Sequence, residues 1–154
     1  MPDKRVFESI VFSPETILKR LRELAFLNKG LEIKFYDENT DYSRTYKFDG
    51  GVVDFVKYLN EGKTSLYADP LYVTATKDNI QVEIAIQHTD AYVDSVYSYV
   101  NNIPTNEGGT HETGFKSALT RIFNETARKY GFIKEGEEQF PYAYLSKLVV
   151  YFND

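Results

Sequence analysis

The sequence of 154 residues contains no cysteine, no tryptophan, one methionine and five prolines. The absence of cysteine excludes disulfide bonds, thiol chemistry and zinc sites built on thiolates. No apolar run approaches the roughly 20 residues that a membrane-spanning helix needs. The charged start, MPDKRVFES, also lacks the apolar segment of a signal peptide. We therefore expect a cytoplasmic protein with no membrane partner.

Charge and aromatic content narrow the class of protein further. The chain carries 18 basic and 23 acidic side chains, a net charge of −5, so it has no general attraction to a phosphate backbone. Its 13 tyrosines and 11 phenylalanines favour strands and fill cores. The length is that of one domain with a single core.

The first predicted helix follows "FSP" and ends near "NKG". Ser13 suits the N-cap, Pro14 suits the first helical position, and Gly30 can adopt the left-handed conformation beyond the end. Apolar residues recur at helical spacing along this segment. They are Ile17, Leu18, Leu21, Leu24, Ala25 and Leu27.

Strand patterns and a short helix fill the middle of the chain. "LEIKFYD" and "SRTYKFD" predict a hairpin, with Leu31, Ile33 and Phe35 on one face. A short helix follows, with Val52, Phe55, Val56 and Leu59 aligned. A second hairpin turns at Asp78-Asn79. Its second strand predicts Ile80, Val82, Ile84 and Ile86 inward and Gln81, Glu83 and Gln87 outward.

A further strand, a long helix and a final strand complete the predicted order. The segment "DSVYSYVNN" predicts the strand. The long helix is predicted over 111–130, with Thr110 or Thr113 as its cap and Gly131 at its end. The last apolar run predicts another strand. The helix places Lys116, Arg121, Arg128 and Lys129 outward, opposite an apolar stripe. That stripe is Phe115, Ala118, Leu119, Ile122, Phe123, Ala127 and Tyr130. The order predicts an α+β fold, a mostly antiparallel sheet with helices on one face.

The loop "NNIPTNEGGTHETGF" is the most distinctive segment, and three chemical interpretations of it fail. Gly108 and Gly109 lack the spacing of a phosphate-binding loop, and Glu107 would repel phosphate. His111 and His88 are the only histidines, and neither has metal-ligand spacing. No Gly-x-Ser-x-Gly elbow supports a nucleophile. The residues alone therefore predict a structural loop in a soluble α+β domain, with no catalytic and no metal-binding residue.

Three stretches resemble a known family. "LKRLRELAFLNKGLEIKFYDE", "YKFDGGVVDFVKYLN" and "NNIPTNEGGTHETGFKSALTRIFNETARKYGFIK" closely resemble the B subunit of bacterial DNA gyrase and its relative, the topoisomerase IV B subunit. The likeness runs from about Pro2 to about Glu138. The signature Gly108, Gly109, Thr110 and His111, followed by Gly114-Phe115, is typical of this family.

The resemblance implies that this chain corresponds to parts of two domains of a larger subunit. Residues 1–29 resemble the connector that ends a GHKL-type ATPase domain, and 30–154 resemble the transducer domain, with a divergent tail after about 138. The transducer is similar to the second domain of a ribosomal small-subunit protein. ATP and magnesium are held in the parent enzyme by motifs upstream of this chain. The family's Gln-Thr-Lys loop is absent, and its role does not transfer to Lys147. We expect no cofactor here.

Three hypotheses about function follow. The first is a transducer fragment of an ATP-dependent type IIA topoisomerase, inactive alone, whose partners are the rest of its subunit, a second copy, the A subunit and DNA. The second is a free-standing binding or regulatory protein on the same fold. The third, an enzyme using His88 or His111, lacks any partner geometry. Weak DNA contact is expected at Lys116, Arg121 and Arg128.

Overall fold

The computed structural model describes residues 3, 5, 6, 8, 12–90, 95–134 and 148–153. Packing divides the chain into two units, Met1–Gly51 and Val52–Asp154. This division groups the first hairpin with the first helix. The functional boundary after residue 29 stays a prediction.

The first unit begins with helix α1 (Pro14–Leu27). Its N-terminus is as predicted, because the Ser13 hydroxyl oxygen accepts a hydrogen bond from the Thr16 N–H at 3.4 Å. At the other end, the backbone N–H and the side-chain Nδ2 of Asn28 both donate to the Leu24 carbonyl, at 3.1 and 2.8 Å. These bonds satisfy backbone groups that a helix end would otherwise leave unpaired.

A two-stranded hairpin completes the first unit. Strand β1 (Ile33–Asp37) pairs antiparallel with β2 (Tyr42–Tyr46). The core joins helix and hairpin through Phe26, whose ring stacks on Phe48 with centroids 3.6 Å apart. The predicted apolar stripe of α1 omitted Phe26. Leu31, expected beside the inward residues of β1, is exposed.

The second unit is built on a five-stranded sheet. The elements of this unit are α2 (Val52–Leu59), β3 (Leu71–Lys77), β4 (Ile80–Ile86), β5 (Val96–Val100), β6 (Ile103–Pro104), α3 (Thr110–Lys129) and β7 (Leu148–Asn153). The strand order in the sheet is β3-β4-β7-β5-β6, and every neighbouring pair is antiparallel except β5 and β7, which are parallel. The predicted α+β class with a mostly antiparallel sheet is confirmed.

Two hairpins of this sheet close through two-residue turns. Asp78 and Asn79 have φ of 51° and 67°, and Asn101 and Asn102 have φ of 48° and 67°. Two consecutive left-handed residues make a type I′ turn, whose twist matches that of the flanking strands. Among residues other than glycine, Asp and Asn tolerate this left-handed conformation best. The predicted turn at Asp78-Asn79 is therefore present.

Helices α2 and α3, the helices of this unit within the described residues, lie on opposite sides of the sheet, not on one face as the sequence suggested. Val96 of β5 packs in the cluster that includes Phe115 and Leu119 of α3. Its neighbours Tyr97 and Tyr99 instead contact Phe55 of α2, with ring centroids 6.0 and 6.1 Å away. Successive strand side chains point to opposite faces. Both faces of β5 carry residues that can be buried, so each face takes a helix.

The apolar stripe of α3 is only partly buried. Phe115 and Leu119 pack against Ile86. Beyond them Ile122, Phe123 and Tyr130 are 53%, 37% and 66% exposed, against the prediction, whereas Ala127 is buried as predicted. None of the helices in the described ranges combines the length and apolar character needed to cross a membrane.

Candidate functional site

The loop between β6 and α3 is held to strand β5 by its own hydrogen bonds. The backbone N–H and the hydroxyl of Thr105 both donate to the Ser98 carbonyl, at 2.8 and 3.0 Å. The Gly108 N–H then donates to the Thr105 carbonyl at 2.9 Å, which closes a tight turn. Gly108 has a φ of +76°, a left-handed conformation that favours glycine. Backbone geometry therefore explains the first glycine of the signature.

Gly109 is required for a different reason. It is the N-cap of α3, and no side chain caps this helix, so the expected cap by Thr110 or Thr113 is wrong. Its φ of 172° is extended backbone that any residue adopts. However, a Cβ on Gly109 would lie 2.5 Å from Cε1 and 2.7 Å from Nδ1 of His111. The imidazole occupies the space that a side chain would need.

His111 links the helix to the sheet. Its Nε2 lies 2.8 Å from the Ser98 hydroxyl and 3.3 Å from the Thr105 hydroxyl. We call these three residues the His111 cluster. Ser98 is buried, so its hydroxyl needs a partner inside the protein. Sequence reasoning missed Ser98 and Thr105, because no spacing rule connects them to the histidine.

A serine beside a histidine also resembles part of a nucleophilic site, which needs an acid to orient the imidazole. Glu112, next along the helix, is paired with Lys116 one turn away. Within the parts of the chain that the structure covers, no three His, Asp or Glu side chains gather so as to hold a metal ion. We interpret the His111 cluster as a structural link between β5 and α3.

His88, the other histidine, lies in a separate polar network beside the loop at 60–70. Its Nδ1 is 2.7 Å from the Tyr67 hydroxyl, and its backbone N–H donates to the same oxygen at 3.1 Å. Burial raises the pKa of Tyr67 above its ordinary value. This tyrosine fastens the loop to the end of β4.

Gln87 belongs to the same network and corrects a prediction. The alternation of β4 placed it outward, yet it is only 3% exposed. Its side-chain oxygen accepts from Asn60 at 3.1 Å, and its nitrogen donates to the carbonyls of Tyr67 and Ala68. The face of β4 that was predicted to point outward lies against α2 here. This is why Gln87 is buried and hydrogen-bonded.

The predicted basic residues line a groove along α3 with a volume of about 590 Å³. Lys116 is paired with Glu112, and Arg121 Nε lies 4.0 Å from a carboxylate oxygen of Glu125. The positive charge of the groove is therefore partly neutralised. Its described lining is Lys116, Ser117, Thr120, Arg121, Asn124, Glu125 and Arg128.

A second cavity, of about 380 Å³, lies between β5 and the glycine loop. Its walls include Tyr97, Tyr99 and Ser98 together with the carboxylate-bearing residues Glu107 and Glu112. These two acidic side chains disfavour an anionic ligand in the cavity, because like charges repel. This geometry gives no support to a phosphate site at the loop.

Solved structures similar to this chain include two gyrase B proteins. The chain aligns over 99% of its length with the 43K ATPase domain of Thermus thermophilus gyrase B, at 37% identity and a TM-score of 0.81, covering 42% of that chain. The B-subunit of the DNA gyrase from Myxococcus xanthus aligns over 99% of this chain and 43% of its own, at 25% identity and a TM-score of 0.85.

The sequence model of DNA gyrase B matches residues 51–152. The chain belongs to the DNA gyrase B family. It is 46% identical over 138 residues to the DNA gyrase B protein of Clostridium acetobutylicum and 49% identical over 134 residues to that of Haloferax lucentense. These alignments cover 89% and 87% of this chain, and the chain spans only 22% and 21% of the two relatives.

The comparisons confirm the resemblance drawn from the signature loop. The family match includes β7, whereas the likeness recognised in the sequence ends near residue 138. The comparisons do not test the roles of individual residues, so the structural role of Gly108 to His111 and the weak DNA contact of Lys116, Arg121 and Arg128 stay predictions.

Proposed function

We propose that this chain is the transducer part of a gyrase B-type subunit and couples ATP binding and hydrolysis elsewhere in that subunit to DNA strand passage. The observation that carries the proposal is the alignment of nearly the whole chain with less than half of a solved gyrase B ATPase-domain chain. Its partners would be the remainder of the subunit, a second copy of it and the A subunit, in the cytoplasm.

The described residues do not suit a nucleotide site of their own. In the parts of the chain that can be described, no acidic cluster is placed to hold magnesium. The larger groove is lined by three basic side chains and Glu125, on a single helix. We therefore assign ATP and magnesium to other parts of the subunit, and no catalytic or cofactor-binding residue to this chain.

The groove on α3 is proposed as a minor contact to the DNA backbone. Arg121 and Arg128 are seven residues apart on α3, two helical turns, so they lie on the same side of the helix. Lys116 extends the positive charge toward the N-terminus of the helix, although its pairing with Glu112 reduces its effect. Such a surface neutralises few phosphates, so its contribution to affinity is small and depends on salt.

A chimeric protein tests the proposed function. The matched segment of the Clostridium acetobutylicum gyrase B protein is replaced by this chain, and the chimera is combined with the A subunit of that organism. We expect ATP-dependent supercoiling of relaxed plasmid close to that of the unaltered protein. Alone, the chain should show no ATP binding by calorimetry at sub-millimolar nucleotide.

Two results would contradict the proposal. A chimera that hydrolyses ATP at the parental rate without supercoiling would show that this chain does not couple the two activities. Micromolar ATP binding by the isolated chain would show that it holds nucleotide itself. The unaltered Clostridium protein, purified in parallel, is the control for assembly and activity.

A further inference from the structure

Strand β3 forms one edge of the five-stranded sheet. It pairs with β4 on one side, and among the described residues no strand pairs with its other side. All seven of its residues are exposed, and its ladder with β4 runs from Leu71 to Lys77 without a bulge. Native edge strands are commonly protected by proline, by charged side chains or by bulges. This strand has no proline, and its one charged residue, Lys77, stands at its end. Its edge is therefore open to pairing with a further strand.

The two-residue turn after β3 determines which backbone groups point to this edge. In such a turn the carbonyl of the first residue, Lys77, accepts a hydrogen bond from the N–H of the fourth, Ile80, and the two residues are partners in the ladder. Hydrogen-bonded and non-hydrogen-bonded pairs alternate along an antiparallel ladder. The backbone N–H and C=O groups of Tyr72, Thr74 and Thr76 therefore point away from β4.

These outward groups match those of a second β3 strand that runs antiparallel to the first. A two-fold axis at Thr74 places this residue opposite its own copy, and Tyr72 opposite Thr76 of the second copy. Each of these pairs then exchanges both of its hydrogen bonds. Threonine lies opposite threonine and tyrosine opposite threonine, combinations that stabilise neighbouring strands. The two Lys77 side chains lie at opposite ends of the pair, so like charges do not face each other.

We propose that the open edge of β3 is a self-association surface, at which two copies of this chain join their sheets into one. A second copy is the occupant because the edge is complementary to itself. Its hydrogen-bonding groups, side-chain pairs and charges all agree in one symmetric register. A single pair of strands is smaller than the roughly 1,200–2,000 Å² that stable interfaces bury, so the association is weak and reversible. It depends on β3 alone and goes beyond the proposed coupling function.

Disulfide cross-linking tests the register, because the chain has no cysteine of its own. Tyr72→Cys and Thr76→Cys are purified separately, and each is oxidised alone and in an equal mixture at the same total concentration. In the proposed register a thiol at 72 faces a thiol at 76, with about 5.5 Å between the Cα atoms, which suits a disulfide. Two thiols at the same position are four residues out of register, about 13 Å along the strand.

We expect the mixture to give about ten-fold more cross-linked dimer than either variant alone, since only the mixed pair brings two thiols together. Equal yields from the mixture and from the separate variants would overturn the proposal. The two variants are controls for each other, because both place a thiol on the same exposed face of the same strand.

Sedimentation equilibrium at about 0.15 M salt measures the association itself. We expect the average mass to rise with concentration from 17.8 kDa toward twice that value. Thr74→Pro removes the N–H at the axis from both copies without removing a bond to β4, and should weaken the association about ten-fold or more. Thr74→Val keeps this N–H, so it is the matched control and should associate as the unaltered chain does. Circular dichroism checks that each variant is folded.

Two sedimentation results would contradict the proposal. A mass that stays at 17.8 kDa up to about 1 mM would show that the edge does not bind a second copy. Equal association of Thr74→Pro and Thr74→Val would show that the copies meet at another surface. If Thr74→Pro does not fold, the cross-linking of the mixed cysteine variants still decides the outcome. Neither measurement depends on supercoiling by the chimera, so this proposal and the proposed function can fail separately.

Discussion

Replacement of Gly109 by alanine should destabilise the protein through one clash, with His111. A methyl group at this position would lie 2.5 Å from Cε1 of the imidazole, so the ring must move. Movement separates Nε2 from the hydroxyls of Ser98 and Thr105, now 2.8 and 3.3 Å away. The backbone contributes little to the cost, because φ is already extended.

The magnitude follows from the group left behind. A buried hydroxyl without its partner costs about 1–3 kcal/mol, and Ser98 is 6% exposed. Alanine also restricts the unfolded chain relative to glycine, which stabilises the folded state by about 0.4–1 kcal/mol. We expect Gly109→Ala to lower the free energy of unfolding by about 1–2 kcal/mol in all.

A double-mutant cycle with His111→Ala, measured by urea unfolding, isolates this clash. Once the ring is gone, Gly109→Ala should be neutral or slightly stabilising. Gly108→Ala is the control, because its cost of about 1–2 kcal/mol arises from the left-handed backbone and should be the same with or without His111. An equal loss from Gly109→Ala in both backgrounds would refute the reasoning.

Three further predictions concern the core, pH and DNA. Leu119→Ala should lower the free energy of unfolding by about 1–3 kcal/mol, somewhat less than the loss of a fully buried leucine, whereas Ile122→Ala should change it by no more than about 0.5 kcal/mol. Both values are measured in the same denaturant melts, and equal losses would mean that the core lies elsewhere. Because the pKa of Tyr67 is raised in the folded protein, the unfolded state loses the phenolic proton first. The contribution of Tyr67 to the free energy of unfolding is therefore complete below pH 10 and declines above it. Tyr67→Phe should reduce that decline, and an unchanged pH profile of the free energy of unfolding would contradict the prediction. DNA binding should be weak and should vanish by about 0.2 M salt. Arg128→Ala should lower the slope of log affinity against log salt concentration by about 1. DNA binding that persists at that salt concentration would reveal a stronger site.

Local chemistry made much of the fold predictable from the sequence. Ser13 and Pro14 define the start of α1, and Asp78-Asn79 defines a hairpin, because caps and turns depend on residues adjacent in sequence. The family signature at Gly108 to His111 was recognisable for the same reason. Its physical basis was not, since the partners of His111 are Ser98 of β5 and Thr105 of the loop, which no sequence spacing connects to the histidine.

Several of the errors share one cause, which is that periodicity predicts the face on which a residue lies but not what packs against that face. Gln87 has the outward parity of β4, yet that side is covered and the residue is buried. Ile122 continues the apolar side of α3, yet it is 53% exposed. Phe26 was passed over although it packs on Phe48, a contact that no helical spacing encodes.

The place of β7 in the sheet has a consequence for how the second unit folds. This strand follows every other strand that the structure describes, yet it lies between β4 and β5. Until residues 148–153 are synthesised, β4 and β5 cannot be joined, and each has an unpaired edge that can pair wrongly. The pairing of β4 with β7 also connects residues more than 60 positions apart, a high contact order that slows folding. We infer that the hairpin of β3 and β4 forms early and that the central strand completes the sheet last.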